Sequence, residues 1–215
     1  MKQFIVVGLG HFGYSVAETL ARKNYDVLAV DSDVEKVQCI VSEVTHAVEA
    51  DATDEDALKT LGVSNFDVGI VGIGEDIHAN VLATLILKEL GVKRVVVKAN
   101  DRLHGKLLAK IGADRVVYPE RDMGVRIANN LISSNVLDYI ELAPDYSIIE
   151  IEANKKMSGK SLLDLKFRSR FGVTVIALKS GEKVNVSPQA EDSIKEGDIL
   201  VVMGGNDSLD KLKEL

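Results

Sequence analysis

One stretch constrains this chain more than any other. In residues 3–31 a short apolar run, Phe4 to Val7, stops at Gly8, and three glycines follow as Gly8-x-Gly10-x-x-Gly13 before an amphipathic segment begins. The pattern reads as strand, tight turn and helix. Glycine at position 8 suits a turn with strained backbone angles, Gly10 lets the backbone come close to a diphosphate, and Gly13 lets the helix pack tightly on the strand. The free amides that open the helix, around His11 and Phe12, then face negative charge. A second apolar run, Val27 to Val30, ends in Asp31, about twenty residues beyond the glycines, where a carboxylate can accept hydrogen bonds from both hydroxyls of a ribose. The unit predicts nucleotide binding.

Beyond Asp31 short β-rich runs alternate with helical stretches. Strands are expected at Ala47 to Ala50, Val68 to Ile73, Arg94 to Lys98 and Arg115 to Tyr118, the last halted by Pro119. Helices are expected at Val34 to Val41, started by Ser32 or Asp33, and at Glu55 to Leu61, Ile77 to Leu90 and Leu103 to Ile111. Strict alternation implies parallel pairing, because each crossover must return over a sheet face. Residues 1–137 therefore read as an α/β, Rossmann-like, doubly wound parallel sheet closed by a crossover helix from about Asp122 to Ser133. Met123, Ile127 and Leu131 on one face of that helix, with Val125, Ala128 and Ile132 beside them, give it more apolar surface than one packing partner requires, as at a dimer or domain interface.

Residues 138–215 read as a second, small α+β domain. Strands are expected at Ser147 to Ala153, Val173 to Leu178, Lys183 to Ser187 and Ile199 to Met203, with one helix over Ser161 to Phe171 and a short terminal helix from Ser208.

Composition narrows the function classes. The net charge of −7, with lysines scattered among acids, argues against nucleic acid as a partner. The single cysteine, Cys39, excludes an internal disulfide, points to a reducing cytosol and is expected to pack as a small hydrophobe on its helix. No apolar run approaches the ~18 residues that cross a bilayer, and Met1-Lys2 leads straight into a strand, so a soluble chain is expected, free to dock on a membrane protein.

In an open parallel sheet, ligands sit beyond the carboxyl ends of the strands. The residues expected there are Gly8 to Gly13, Asp31 to Asp33, Asp51-Ala52-Thr53, Gly72 to Glu75 with Gly74 among them, Lys98 and Glu120. Asp51 and Ala52 could meet an adenine amino group, or Asp51 or Thr53 could simply cap the next helix. Lys98 could reach a phosphate as a point charge or be a solvated lysine at a strand end. No catalytic set emerges. His11, His46, His78 and His104 are dispersed without metal spacing, the last three reading as surface or helix histidines, and no lysine with serine or threonine follows the glycines at Walker spacing. The residues by themselves describe a nucleotide-binding regulator without visible enzyme chemistry. A small NAD-dependent oxidoreductase and a nucleotide sensor acting on another soluble protein are the competing readings, and NAD(H) stays compatible because Asp31 suits any unphosphorylated ribose.

Several linked segments carry a more specific likeness. Gly8-Leu9-Gly10-His11-Phe12-Gly13, Val30-Asp31, Thr45-His46-Ala47-Val48, Asp51-Ala52-Thr53, Ile73-Gly74-Glu75, Leu85 to Leu90, Lys98-Ala99, Ile111 to Asp114 and Tyr118 to Gly124 resemble the RCK (regulator of potassium conductance) family, in particular the cytosolic gating subunits of bacterial Ktr potassium uptake systems. The likeness covers nearly the whole chain. It implies a homodimer-based octameric ring beneath a membrane potassium-translocating subunit, peripheral on the inner face of the cell membrane. ATP would favour the conducting state and ADP the inactive one. Gly8 to Gly13, Asp31 and Lys98 would hold the nucleotide, and Glu120 would contribute to a Mg²⁺, Ca²⁺ or Na⁺ site at the dimer interface. The C-terminal domain would bind cyclic di-AMP between two subunits and close the system, through Leu165 to Ile176 with Pro188. There Arg168 would pair with a phosphate while Val175 and Ile176 line the base. His11 stands where the family typically has arginine, which implies weaker or pH-dependent discrimination between ATP and ADP.

Overall fold

The structure, a computed structural model, describes residues 2–132 and 136–213. The chain forms two compact units, Met1–Glu120 and Arg121–Leu215.

The first unit is the doubly wound sheet. Strands β1 (Gln3–Val7), β2 (Asp26–Asp31), β3 (His46–Glu49), β4 (Val68–Val71), β5 (Arg94–Lys98) and β6 (Arg115–Val117) lie in the order β3-β2-β1-β4-β5-β6. Every pairing is parallel. The helices α1 (His11–Arg22), α2 (Val34–Ile40), α3 (Glu55–Thr60), α4 (Ile77–Glu89) and α5 (Arg102–Lys110) return the chain over the sheet faces. Alternation along single strands feeds two cores: Ile5, Val7, Leu28 and Val30 pack on one side with Leu87 and Val97, while Val6, Val27 and Ala29 pack on the other with Ala17 and Ile40. Strand order reverses between β1 and β4, so a crevice opens beyond their carboxyl ends.

Acidic caps fix where the helices start. Asp33 accepts from the Glu35 amide at the head of α2, Asp54 from Asp56 and Ala57 at α3, Asp76 from Ala79 at α4, and Asp101 from Leu103 and His104 at α5. The cap of α3 is thus Asp54, next to the first helical residue, rather than Asp51 or Thr53. Cys39 is exposed; α2 turns Val37 and Ile40 into the core and leaves it outside. His104 is buried instead.

The second unit begins within helix α6 (Pro119–Ile132), so Pro119 opens a helix as well as ending β6. A five-stranded antiparallel sheet follows in the order β10-β9-β11-β8-β7, from β7 (Val136–Ala143), β8 (Tyr146–Glu152), β9 (Thr174–Ser180), β10 (Lys183–Asn185) and β11 (Ile199–Gly205). Strand β7 has no counterpart in the sequence reading. Its pairing with β8 slips at Val136/Asp138 and again at Glu141/Ala143, and each slip breaks the two-residue period by which a strand is recognised. Ile149, Ile151, Leu200 and Val202 build the core with Phe167, Leu209 and Leu212. The helix expected over Ser161 to Phe171 is two, α7 (Leu162–Leu165) and α8 (Phe167–Phe171), because Lys166 adopts a left-handed conformation at φ 53°. Helix α9 (Asn206–Lys213) ends the described chain.

Two outcomes follow from this packing. A Cβ at Gly13 would collide with the Gly8 carbonyl oxygen, so Gly13→Ala should lose at least about 2 kcal/mol in urea denaturation as α1 is pushed off β1. His104 is 5% exposed, and burial lowers its pKa from the ordinary 6.5 against a smaller opposing pull from Asp101. The folded chain therefore binds this proton less readily than the unfolded chain, so the resulting loss of stability is absent well above pH 6.5 and grows as pH falls below it. His104→Gln should show a shallower decline of stability below that pH.

Candidate functional site

The carboxyl edge of the parallel sheet forms a recess of about 430 Å³. Its floor comes from the turn after β1. Gly8 has φ 86°, and a Cβ there would lie 2.7 Å from the Ile73 amide nitrogen, so both conformation and the neighbouring β4 turn demand glycine. Gly13 does not line the recess; it serves the close contact of α1 with β1. Gly10 is different. Its φ of −62° suits any residue, and a Cβ would meet no atom within 4 Å. Among the described residues no packing contact requires glycine there, whereas a ligand lying on the backbone would. No side chain caps α1 and no acid sits in its first turn, so its leading amides at His11 and Phe12 keep their donor capacity and the positive end of the helix dipole faces the opening.

Asp31 closes β2 opposite these amides. Its carboxylate accepts from the Leu9 amide at 2.6 Å and the Asp33 amide at 2.9 Å, one bond on each oxygen, which leaves each oxygen a further lone pair for a ribose hydroxyl. Asp33 itself caps α2 and does not line the recess. Asp51 and Ala52 do line it. The Asp51 carboxylate accepts from the Thr53 amide at 2.8 Å and hydroxyl at 2.7 Å, bonds that hold its pKa below the ordinary carboxylate value.

The far wall is held by two asparagines that sequence reasoning missed. Asn80, fully buried on α4, donates to the carbonyls of Ile73 at 2.6 Å and Lys98 at 3.1 Å, tying the end of β4 to the end of β5. Asn100 donates to the Gly74 carbonyl at 2.5 Å. The available signal was an amide on the inner side of α4, among Ala83, Thr84 and Leu87. This clamp lays Gly74 against the Lys98 side chain: a Cβ on Gly74 would lie 3.0 Å from its ammonium nitrogen. Lys98 in turn pairs with Glu120 at 2.5 Å, a contact that lowers the Glu120 pKa.

Charge in this recess favours anions less than the helix dipole suggests. Asp31, Asp51, Glu75, Asp76 and Glu120 line it against Lys36 and Lys98. Both lysines already face carboxylates, Lys36 standing 3.6 Å from Asp33 and 4.0 Å from Asp31. Among the described residues no group of three or more His, Cys, Asp or Glu is placed to hold a metal ion. Within one chain Glu120 therefore serves Lys98, and a cation site there would need ligands from elsewhere.

The second unit carries its own recess, of about 500 Å³, on α7, α8 and the start of β9. Arg168, Val175 and Pro188 line it, together with Lys166. Ile176 does not. Val202 pairs with Val175 and Val201 with Ala177, so Ile176 is the extra, unpaired residue of a bulge. Among the described residues no acid lines this recess, so Lys166 and Arg168 make it cationic.

Residues 4–119 match the TrkA-N domain and residues 146–215 the TrkA-C domain. The chain is 50% identical over 203 residues to Ktr system potassium uptake protein C of Bacillus subtilis, covering 94% of this chain and 92% of that one. It is 39% identical to Ktr system potassium uptake protein A of Vibrio alginolyticus, over 215 residues and 98% of that chain. In fold it is similar to the crystal structure of the GsuK RCK domain, with a TM-score of 0.72 and 21% identity, covering the whole of this chain and 47% of the other. The chain belongs to the RCK family, as a TrkA-N/TrkA-C member of the kind found in Ktr potassium uptake systems.

Proposed function

We propose that this chain is the nucleotide-responsive regulatory subunit of a Ktr-type potassium uptake system. The observation that carries the reading is the pairing of uncapped α1 amides at an open Gly10 with the half-satisfied carboxylate of Asp31, a diphosphate cradle facing a ribose acceptor. ATP bound there favours the conducting state and ADP the inactive one. Because the recess carries more acid than base, a divalent or sodium ion accompanies the phosphates, with Glu120 among its ligands once another subunit supplies the rest. The chain acts as a homodimer within an octameric ring, and its membrane attachment is through a potassium-translocating partner. Among the described residues no helix is long and apolar enough to cross a membrane. Residues 1–137, crossover helix included, form the nucleotide-sensing part, and residues 138–215 the regulatory part. The cationic second recess, with Lys166, Arg168, Val175 and Pro188, takes cyclic di-AMP as an inhibitor. The Ktr relatives do not favour the oxidoreductase alternative.

The first measurement is calorimetric titration of the purified chain with ATP, ADP, NADH and cyclic di-AMP, with and without Mg²⁺. Tight binding of ATP or ADP is expected, with Asp31→Asn weakening ADP by at least about tenfold as charge-assisted bonds to ribose are lost. Binding of NADH alone would refute the regulatory reading. In a separate arm, Arg168→Ala should weaken cyclic di-AMP by about tenfold or more while leaving ADP unchanged, since the two recesses share no residue. A cyclic di-AMP isotherm indifferent to Arg168 would remove that ligand from this site.

A further inference from the structure

We infer that Glu120 is a specificity-determining residue that acts as an internal stand-in for a ligand phosphate: it holds the Lys98 ammonium when no phosphate is present, and a phosphate-bearing ligand must take Lys98 from it. This rests on the nucleotide reading above. Lys98 is held from three sides. Its carbonyl is bonded by the buried Asn80, its side chain lies against Gly74, and its ammonium meets Glu120. The two partners differ in freedom. The lysine side chain is only 14% exposed, whereas that of Glu120 is 69% exposed, so the cation stays in the recess and the carboxylate is the half of the pair that can leave at little cost.

The position of Glu120 gives the exchange a consequence. It is the last residue of the first compact unit and stands in the first turn of α6, which continues as the chain of the second unit. While Lys98 is paired, that turn is tethered to the ligand recess. Once phosphate takes Lys98, the tether is released and Glu120 becomes a free carboxylate. A ligand that fills the adenosine end alone leaves the pair intact. The recess thus reports the presence of phosphate, rather than occupancy as such, at the start of α6.

The test is a double-mutant cycle read by calorimetric titration of ADP into the full chain in the presence of a chelator, so that no divalent cation contributes. Glu120→Gln should tighten ADP about fivefold, the scale of a partly exposed ion pair that no longer has to be broken. The gain should vanish in a Lys98→Gln background, and adenosine affinity should not change. ADP should also speed amide exchange over residues 119–123 in the unsubstituted chain but not in Glu120→Gln. An ADP affinity that is unchanged or weaker in Glu120→Gln, or a gain that persists without Lys98, overturns the exchange while leaving nucleotide binding intact. If the unsubstituted chain binds neither ADP nor ATP, the nucleotide reading fails and the exchange fails with it.

Discussion

The first unit depends on one close approach. The carbonyl oxygen of Gly8 lies so near α1 and β4 that a Cβ at Gly13 would collide with it and one at Gly72 would come within 2.8 Å. This contact sets the height of α1 over the sheet and aims its first amides across the end of β1. The Leu9 amide then falls within 2.6 Å of Asp31, so the glycine turn and the acid at the end of β2, the proposed diphosphate and ribose contacts, are built as one piece. Dihedral freedom matters at Gly8 and sheer proximity at Gly13. Neither applies at Gly10, where a Cβ would meet no atom within 4 Å and the backbone lies open to the recess.

The two recesses would attract an anion in opposite ways. In the second unit Lys166 and Arg168 stand without any acid in the lining, and an anion is drawn by net charge. In the first unit the lysines are already engaged and acids outnumber them, so attraction comes from oriented backbone amides, which hold charge without carrying a counter-ion of their own. An amide cradle of this kind recognises a diphosphate by geometry. It is poorly suited to counting phosphates, because its donors are spent on the groups nearest the turn.

Much of this was legible in the sequence. Alternating apolar runs and glycine-closed helices announce a parallel sheet, and six short strands appear where that alternation requires them. Asp31, Asp51, Gly74, Lys98 and Glu120 converge because each follows a strand and every strand points the same way. What escaped has a physical pattern. Strand β7 hides because its slips destroy the period, and Lys166 splits a helix by a single left-handed residue. The partners of Asn80 and Asn100 are backbone carbonyls on other turns, which no side-chain spacing identifies, and for Asn80 the sequence offers only an amide on the inner side of α4.

Energetics then bear on how such a site could drive a transporter. Moving a two-state equilibrium from almost closed to almost open takes about 5.5 kcal/mol of differential binding. The side chains that could distinguish a third phosphate from two are His11, Lys36 and Lys98, and one exposed ion pair contributes about 0 to 1 kcal/mol. A single recess therefore falls short. If eight copies switch together, as the proposed ring would require, each need supply only about 0.7 kcal/mol, which a single contact at the edge of the recess can provide. Weak discrimination at each site is then no defect, because assembly multiplies it.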